Sequence, residues 1–177
     1  LSSYSSFYVE QCEFFVKKLI KKYKLNKDTF IIEIASNDGY LLNIFNKFKI
    51  PNLGIEPTLR SANIAKRKKI KVINSFFNLD LAKKLSKKKV LADVIIAFNV
   101  LAHVPNINNF LSSFPKILKP NGIVVFEFPH VLNLIKHNQF DTIYHEHYSY
   151  LSIIFLKNKL FDYNLEIFKI ETLESHG

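Results

Sequence analysis

The hydrophobic and polar positions of this chain follow two periods in alternation, one typical of helices and one typical of buried strands. Apolar residues recur every three or four positions over residues 7–24, which predicts an amphipathic helix, and an apolar run at 30–35 predicts a buried strand. The alternation continues with predicted helices at 40–48, 59–68, 79–87 and 107–118, and with predicted strands at 52–56, 71–74, 92–98 and 122–128.

Strands that alternate with helices across residues 30–128 indicate an α/β fold with a mostly parallel open sheet and helices on both faces. In such a sheet, right-handed crossovers place ligands at the carboxyl ends of the strands. Pro120-Asn121-Gly122 predicts a tight turn before the fifth strand. Residues 129–149 show no clean period, 150–160 look helical, and 165–173 predict a final strand. The length of 177 residues fits a single domain over 1–177.

Lysine and arginine outnumber the acidic residues by 25 to 15, so the chain carries a formal net charge of +10. Such an excess can mark a protein that binds nucleic acid or an anionic membrane. Here the lysines lie on the polar side of the first predicted helix and at helix ends, as at 66–69 and 87–89, where they complement helix dipoles. We therefore expect no nucleic acid and no membrane as partner. No apolar run approaches the length of about 18 residues that a membrane span needs.

The chain has one cysteine and no methionine. A single cysteine excludes an internal disulfide and a Cys-rich zinc or iron–sulfur site. Because the chain begins with Leu1, lacks Met and ends directly after a predicted strand, we expect it to be a piece of a longer protein. Residues 1–4 show no basic start followed by an apolar core, so no signal peptide is predicted and we expect a cytoplasmic location. The oligomeric state is left open.

The loop after the first strand is the default nucleotide site of an open parallel sheet. A dinucleotide fold would show a glycine-rich GxGxxG turn, but residues 33–39 contain only Gly39. Asp38 would also repel a phosphate, which counts against NAD and ATP. Glu33 and Asp38 would instead favour a cofactor with an ammonium group and no phosphate, such as S-adenosylmethionine. An ordinary Asn-Asp-Gly turn that caps a helix is the alternative.

The second predicted strand ends at Glu56, 23 positions after Glu33. An acidic residue at the end of the second strand accepts hydrogen bonds from ribose hydroxyls in nucleotide-binding folds. Position and spacing therefore favour a ribose contact for Glu56 over the alternative of a solvent-exposed carboxylate.

Residues 32–41, IEIASNDGYL, resemble the first motif of the class I S-adenosylmethionine-dependent methyltransferases. Segments similar to the sugar C-methyltransferase family, which methylates carbon on nucleotide-linked sugars, follow at 54–57, 76–77, 93–104, 126–129 and 140–150. This resemblance covers nearly the whole chain. It implies a Rossmann-like fold whose last strand is cut short, S-adenosylmethionine as cofactor and a nucleotide-linked keto-sugar as substrate. Many methyltransferases carry glycines where this chain has Ala35 and Asn37, a departure that the sugar branch tolerates.

The resemblance assigns the cofactor-binding residues to the carboxyl ends of the strands. The residues after the first strand would wrap the methionine part of the cofactor, with Glu33 in the same set: Ala35, Ser36, Asn37, Asp38 and Gly39. The residues after the second and third strands would hold the ribose and lie beside the adenine: Glu56 with Pro57, and Phe76 with Phe77. The residues after the fourth strand would line the pocket under the transferred methyl group: Asn99, Val100 and Leu101, with His103 as a nearby wall.

Methylation of carbon requires a base that converts a carbon next to a ketone into an enolate. From the family pattern, His147 is the expected general base, and Tyr144 and Glu146 would position the substrate and polarise its ketone. His145 is the backup base. A polar loop with capping histidines is one alternative. A metal site is another, but the i, i+2 pair His145 and His147 lacks an obvious third ligand, so no metal is predicted.

Several other classes of protein are alternatives to this resemblance. The chain lacks the Pro-Pro-aromatic run that amino-methyltransferases of nucleic acids carry after the fourth strand. Cytosine C5 methyltransferases need a nucleophilic cysteine near that strand, whereas Cys12 lies on the apolar side of the first predicted helix. An O-methyltransferase with a histidine base, and a non-catalytic module that binds the cofactor or a protein, both stay open. Full-length members of the family add a zinc-binding segment and a further α/β domain. Both are expected outside residues 1–177, so we expect this piece to bind cofactor but to lack full activity.

Overall fold

The computed structural model describes residues 6–173, and its side chains from residue 9 onward. The helices are α1 (Ser6–Tyr23), α2 (Tyr40–Lys47), α3 (Leu59–Arg67), α4 (Leu79–Lys87), α5 (Ile107–Ile117), α6 (Val131–Lys136) and α7 (Ile153–Phe161). The strands are β1 (Ile31–Ile34), β2 (Asn52–Ile55), β3 (Val72–Ile73), β4 (Ala92–Phe98) and β5 (Leu118–Glu127). Short 3-10 turns occur at Leu101–His103 and Phe140–Thr142.

The strands form one parallel sheet in the order β3-β2-β1-β4-β5. Ile32 of β1 lies opposite Leu53 on one side and Ile95 on the other. The chain leaves β1 first toward β2 and later returns to β4, so the direction of strand order changes between β1 and β4. The predicted α/β fold is confirmed, and its ligand crevice is expected at the carboxyl ends of β1 and β4.

Apolar residues of the central strands divide between two cores, one on each face of the sheet. Ile32 and Ile95 pack in the core that contains Phe110 and Phe114 of α5, whereas Ile31 and its cluster pack against α1 and α2. Because alternate residues of a strand point to opposite faces, a sheet covered on both faces needs a continuous apolar run. This is why the short runs at 30–35 and 92–98 were readable as strands.

Strand β5 begins earlier than its sequence indicates. Leu118 already pairs with Ala92, and the register then shifts so that Ile123 pairs with Val94. Pro120-Asn121-Gly122 is therefore an irregularity inside β5 rather than a tight turn before it, with Asn121 at φ 62°. The predicted position of the turn is wrong, because β5 pairs with β4 both before and after these three residues.

The predicted final strand at 165–173 is not formed. Residues 165–173 have no regular structure, and Phe168 and Ile170 are exposed. Leu165 and Ile167 pack against the core on alternate positions, which produced the strand-like pattern, but β5 stays the edge of the described sheet. Residues 129–149 contain α6, which the sequence did not reveal because none of its residues is buried and no apolar period marks it.

No helix within residues 6–173 is both long and apolar enough to span a membrane.

One carboxylate ties the amino ends of three strands together. Asp93 Oδ2 accepts hydrogen bonds from the backbone N–H of Phe30 and from Lys119 Nζ, each at 2.7 Å. Removing a charged acceptor leaves a partly buried donor unsatisfied, so Asp93→Ala is expected to lower the free energy of unfolding by about 1–3 kcal/mol. Denaturant unfolding measures this change. Asp162→Ala, which removes only an exposed pair with Lys159, is the control and should stay within about 0.5 kcal/mol; equal effects would contradict the role of Asp93.

Candidate functional site

The turn between β1 and α2 uses left-handed backbone conformations repeatedly. Ala35, Asn37 and Gly39 have φ values of 56°, 50° and 75°. Glycine adopts such values at no cost, Asn tolerates them, and Ala is strained there. A Cβ on Gly39 would also lie 2.3 Å from Ile70 Cδ1, so a substitution there would crowd Ile70 in addition to straining the backbone. Ala35 and Asn37, which replace glycines of the family pattern, therefore adopt left-handed backbone conformations that glycine usually occupies.

Three carboxylates lie buried around this turn. Glu33, Asp38 and Glu56 are 1%, 1% and 5% exposed. Glu56 accepts hydrogen bonds from the backbone N–H groups of Asn37 at 2.8 Å and Thr58 at 2.7 Å, so it holds the end of β2 against the turn. The alternative of a solvent-exposed Glu56 is thus ruled out, and a ligand in the crevice would meet this carboxylate already oriented.

Asp38 and Glu33 differ in their partners. Asp38 Oδ2 forms an ion pair with Nζ of Lys68, the residue that follows α3, at a distance of 2.9 Å. Glu33 Oε2 and Ser36 Oγ have no hydrogen-bond partner among the described residues. Burial raises the pKa of Glu33 well above its ordinary value, and the neighbouring charges of Glu56 and Asp38 raise it further. The turn therefore holds unsatisfied buried polar atoms beside three acidic side chains, an environment that suits a cationic ligand.

The two phenylalanines after β3 have different surroundings. Phe77 is buried and packs edge-to-face on Phe110 and Phe114, with ring centroids 5.5 and 5.1 Å away. Phe76 is 73% exposed. Pro57 lies at the end of β2, where its carbonyl accepts a hydrogen bond from Asn74 Nδ2 at 2.9 Å. Of the pair expected beside an adenine, Phe76 therefore presents its ring to solvent while Phe77 belongs to the core.

The carboxyl end of β4 is fixed by β5. Asn99 adopts φ 50°, donates its backbone N–H to the carbonyl of Glu127 at 2.8 Å, and donates Nδ2 to Glu127 Oε1 at 2.9 Å. Leu101 is fully buried and Val100 is partly buried against the core. Asn99 is thus the polar side chain at this strand end, whereas the Leu101 side chain belongs to the core.

Glu127 borders the candidate site through its contacts with Asn99, although the sequence analysis did not single it out. The signal was an acidic residue at the end of an apolar strand, within the segment 126–129 that carried part of the family resemblance.

Glu127→Ala is expected to release the Asn99 amide and to lower the free energy of unfolding by about 1.5–3 kcal/mol, the range for a hydrogen bond to a charged group. Glu127→Gln keeps a side-chain oxygen that can accept from Asn99 Nδ2 and is expected to lose less. Denaturant unfolding measures the free energy of unfolding of both Glu127 variants, of Asn99→Ala and of the double variant that combines Glu127→Ala with Asn99→Ala. A double variant whose loss equals the sum of the single losses would show that the two side chains act independently.

The segment 143–150 is docked against the turn that follows β4. The carbonyl of Ala102 accepts the backbone N–H of Tyr148 at 2.8 Å and that of Ser149 at 3.3 Å. His103 Nδ1 lies 3.1 Å from the carbonyl of Glu146. These contacts place the Tyr-His-Glu-His run beside the carboxyl end of β4, where a ligand of this fold is expected.

His147, His103 and Tyr144 form one ring cluster. The ring centroids of His147 and His103 are 4.7 Å apart, and the Tyr144 ring lies 4.2 Å from that of His147 at an interplanar angle of 38°. His147 Nδ1 lies 2.7 Å from the carbonyl of Thr142. A carbonyl oxygen can only accept a hydrogen bond, so Nδ1 carries the hydrogen both in His147 and in His103. In the neutral form of each ring, Nε2 is therefore the basic nitrogen.

Burial lowers the pKa of His103, the charge of His147 lowers it further, and the hydrogen bond to the carbonyl of Glu146 partly opposes this shift. This lowered pKa favours the neutral form of His103 at pH 7. The side chains of His145 and Glu146 are exposed, and the ring of His145 lies 6.5 Å from that of Tyr144. Of the predicted catalytic residues, the structure brings His147 and Tyr144 into contact and leaves His145 and Glu146 at the rim.

Within the described part of the chain, no group of three His, Cys, Asp or Glu residues lies close enough to hold a metal ion.

Comparisons with known proteins bear on the family and the fold of this chain. The sequence pattern of the methyltransferase-domain family matches residues 6–170. The C-methyltransferase NovU of Streptomyces niveus is 28% identical over 158 residues, which cover 89% of this chain and 38% of NovU. The chain thus spans well under half the length of this curated relative.

Solved structures share the fold. A SAM-dependent methyltransferase from Archaeoglobus fulgidus superposes with a TM-score of 0.65 at 18% identity, over 85% of this chain and 68% of that protein. The plantazolicin methyltransferase BpumL, solved in complex with SAH, superposes with a TM-score of 0.59 at 16% identity, over 75% of this chain and 54% of that protein. These likenesses establish the Rossmann-like methyltransferase fold expected from the sequence.

Proposed function

This chain belongs to the methyltransferase-domain family, and on that premise we propose that it transfers the methyl group of S-adenosylmethionine to a carbon of a nucleotide-linked keto-sugar. The observation that carries the proposal is the position of His147. Its Nδ1 is occupied by the carbonyl of Thr142, so Nε2 is the free basic nitrogen, at the carboxyl end of β4 beside Tyr144. The similarity to a relative named as a C-methyltransferase supports the choice of carbon as the methyl acceptor.

The residues around the β1 turn fit S-adenosylmethionine. That cofactor has a positively charged sulfonium and an ammonium group and no phosphate, which matches a crevice with buried carboxylates and a single glycine. Glu33 and the turn at 35–39 would hold the methionine part, Glu56 the ribose, and Asn99 the region of the methyl group. The unpartnered Glu33 Oε2 and Ser36 Oγ supply buried polar atoms for such a ligand. When bound, S-adenosylmethionine supplies an electrophilic methyl group.

The side chains of the ring cluster would generate the nucleophile. His147 Nε2 takes the proton from the carbon next to the ketone, and the electron pair of the broken C–H bond moves into an enolate. The Tyr144 hydroxyl donates a hydrogen bond to the enolate oxygen as negative charge develops there. A neutral His103 provides an uncharged wall, so it does not oppose the positive charge that forms on His147. Tyr144 and Glu146 remain the residues that we assign to positioning the substrate.

A pair of matched substrates tests the proposal. The protein is incubated with S-adenosylmethionine that carries a deuterated methyl group, and with either a nucleotide-linked keto-sugar or the same compound reduced to the alcohol. We expect mass spectrometry to detect the labelled methyl only on the keto-sugar, because only a ketone acidifies the neighbouring C–H. Methylation of the reduced compound would favour the alternative, an O-methyltransferase. Cofactor binding with neither product would favour a non-catalytic module.

A further inference from the structure

Three acidic side chains lie buried together around the β1 turn. Glu33, Asp38 and Glu56 come from the end of β1, the turn and the end of β2. Lys68, at the end of α3, pairs with Asp38, and two backbone N–H groups donate to Glu56. Glu33 lies between two neighbouring strands. It is paired with Gly54 of β2 and with Ile96 of β4, and neither of these residues carries a charge.

Like charges that are buried together cannot all be ionised without a strong penalty, and one of them retains a proton. Glu33 is the member of the cluster with the least compensation, because its Oε2 has no donor among the described residues and its side chain is almost fully enclosed. The raised pKa of this carboxyl agrees with that choice.

We propose that Glu33 is protonated in the cofactor-free protein and releases its proton when the positively charged cofactor binds. This inference rests on the proposed function. The O–H bond of the carboxyl group breaks, the proton passes to the buffer, and the resulting carboxylate balances the charge that the ligand brings. Affinity for the cofactor is therefore expected to rise with pH until Glu33 is ionised in the free protein as well.

Isothermal titration calorimetry in two buffers of different ionisation enthalpy counts the protons. We expect roughly one proton to be released for each S-adenosylmethionine bound. The measurement is made at a pH below about 7.7–8.0, the pKa of a free α-amino group, so that the amino group of the ligand is already protonated and contributes few protons of its own. Glu33→Gln keeps the shape of a protonated carboxyl and is expected to bind the cofactor without the release. Glu10→Gln, on the exposed side of α1, is the matched control and should release the proton as the unchanged protein does.

The outcomes separate this inference from the function on which it rests. If S-adenosylmethionine binds with the same heat in both buffers, the proton linkage is wrong and the proposed function stands. If the folded protein does not bind it at all, both fail. Equal release from Glu33→Gln and from the unchanged protein would assign the proton to another group and overturn the role of Glu33. If Glu33→Gln does not fold, carbon NMR of labelled glutamate carboxyls in the unchanged protein decides, since ionisation of Glu33 must appear on cofactor addition.

Discussion

Replacing His147 by Asn is expected to lower turnover by roughly 10²–10⁴-fold, the contribution of a positioned general base. Asparagine keeps an N–H donor near the position of Nδ1, so the hydrogen bond to the carbonyl of Thr142 can persist while the basic Nε2 is lost. Binding of S-adenosylmethionine is expected to stay unchanged, because His147 is not among the residues around the β1 turn. Turnover is measured by mass spectrometry and binding by calorimetry.

Exchange of the substrate C–H in deuterium oxide isolates the step that we assign to His147. With the demethylated cofactor bound and methyl transfer therefore blocked, the unchanged protein should still exchange the acidic C–H, and His147→Asn should not. His137→Asn, an exposed histidine after α6, is the control and should exchange normally. If His147→Asn keeps both exchange and turnover, the base is another residue, and His145→Asn becomes the next variant to measure.

Removing the Glu56 carboxylate is expected to give the largest loss of cofactor affinity. Glu56→Ala leaves the backbone N–H groups of Asn37 and Thr58 without their acceptor, in addition to any contact with the ribose. Hydrogen bonds to a charged group contribute about 1.5–3 kcal/mol, so the dissociation constant is expected to rise roughly 10- to 100-fold. Calorimetry with S-adenosylmethionine measures this change, at a temperature where circular dichroism shows that the variant is folded.

Two further variants show whether the loss belongs to Glu56 itself. Glu56→Gln keeps one acceptor oxygen and should lose less affinity than Glu56→Ala, whereas Glu10→Ala, on α1, should bind as the unchanged protein does. Affinity that survives Glu56→Ala would remove Glu56 from the cofactor site and leave it as a residue that only shapes the turn.

The sheet could be predicted because its information is local. A strand covered on both faces must be apolar throughout, so β1 and β4 appear as short apolar runs, and the helices between them carry a helical period. The same local reasoning failed at 165–173, where Leu165 and Ile167 alternate as in a strand although no neighbouring strand pairs with them. Strand pairing depends on distant parts of the chain, which periodicity does not contain.

The sequence predicts the residue types of the candidate site, and the structure adds their contacts. The Tyr-His-Glu-His run identified Tyr144 and His147, but their meeting with His103 depends on how segment 143–150 docks on Ala102. The burial of Phe77, and the bond between Asn99 and Glu127, likewise depend on packing between distant elements. Residue patterns thus indicate which reactive side chains the candidate site contains, whereas the fold determines which of these side chains are in contact.

The position of the transferred methyl group tests the central claim most directly. The protein is incubated with S-adenosylmethionine labelled with carbon-13 in its methyl group and with a nucleotide-linked keto-sugar uniformly labelled with carbon-13. Our account predicts a product whose methyl signal shows one-bond carbon–carbon coupling to the sugar, because the enolate carbon attacks the methyl. A methyl signal without that coupling would place the group on oxygen and contradict methylation through a His147-generated enolate.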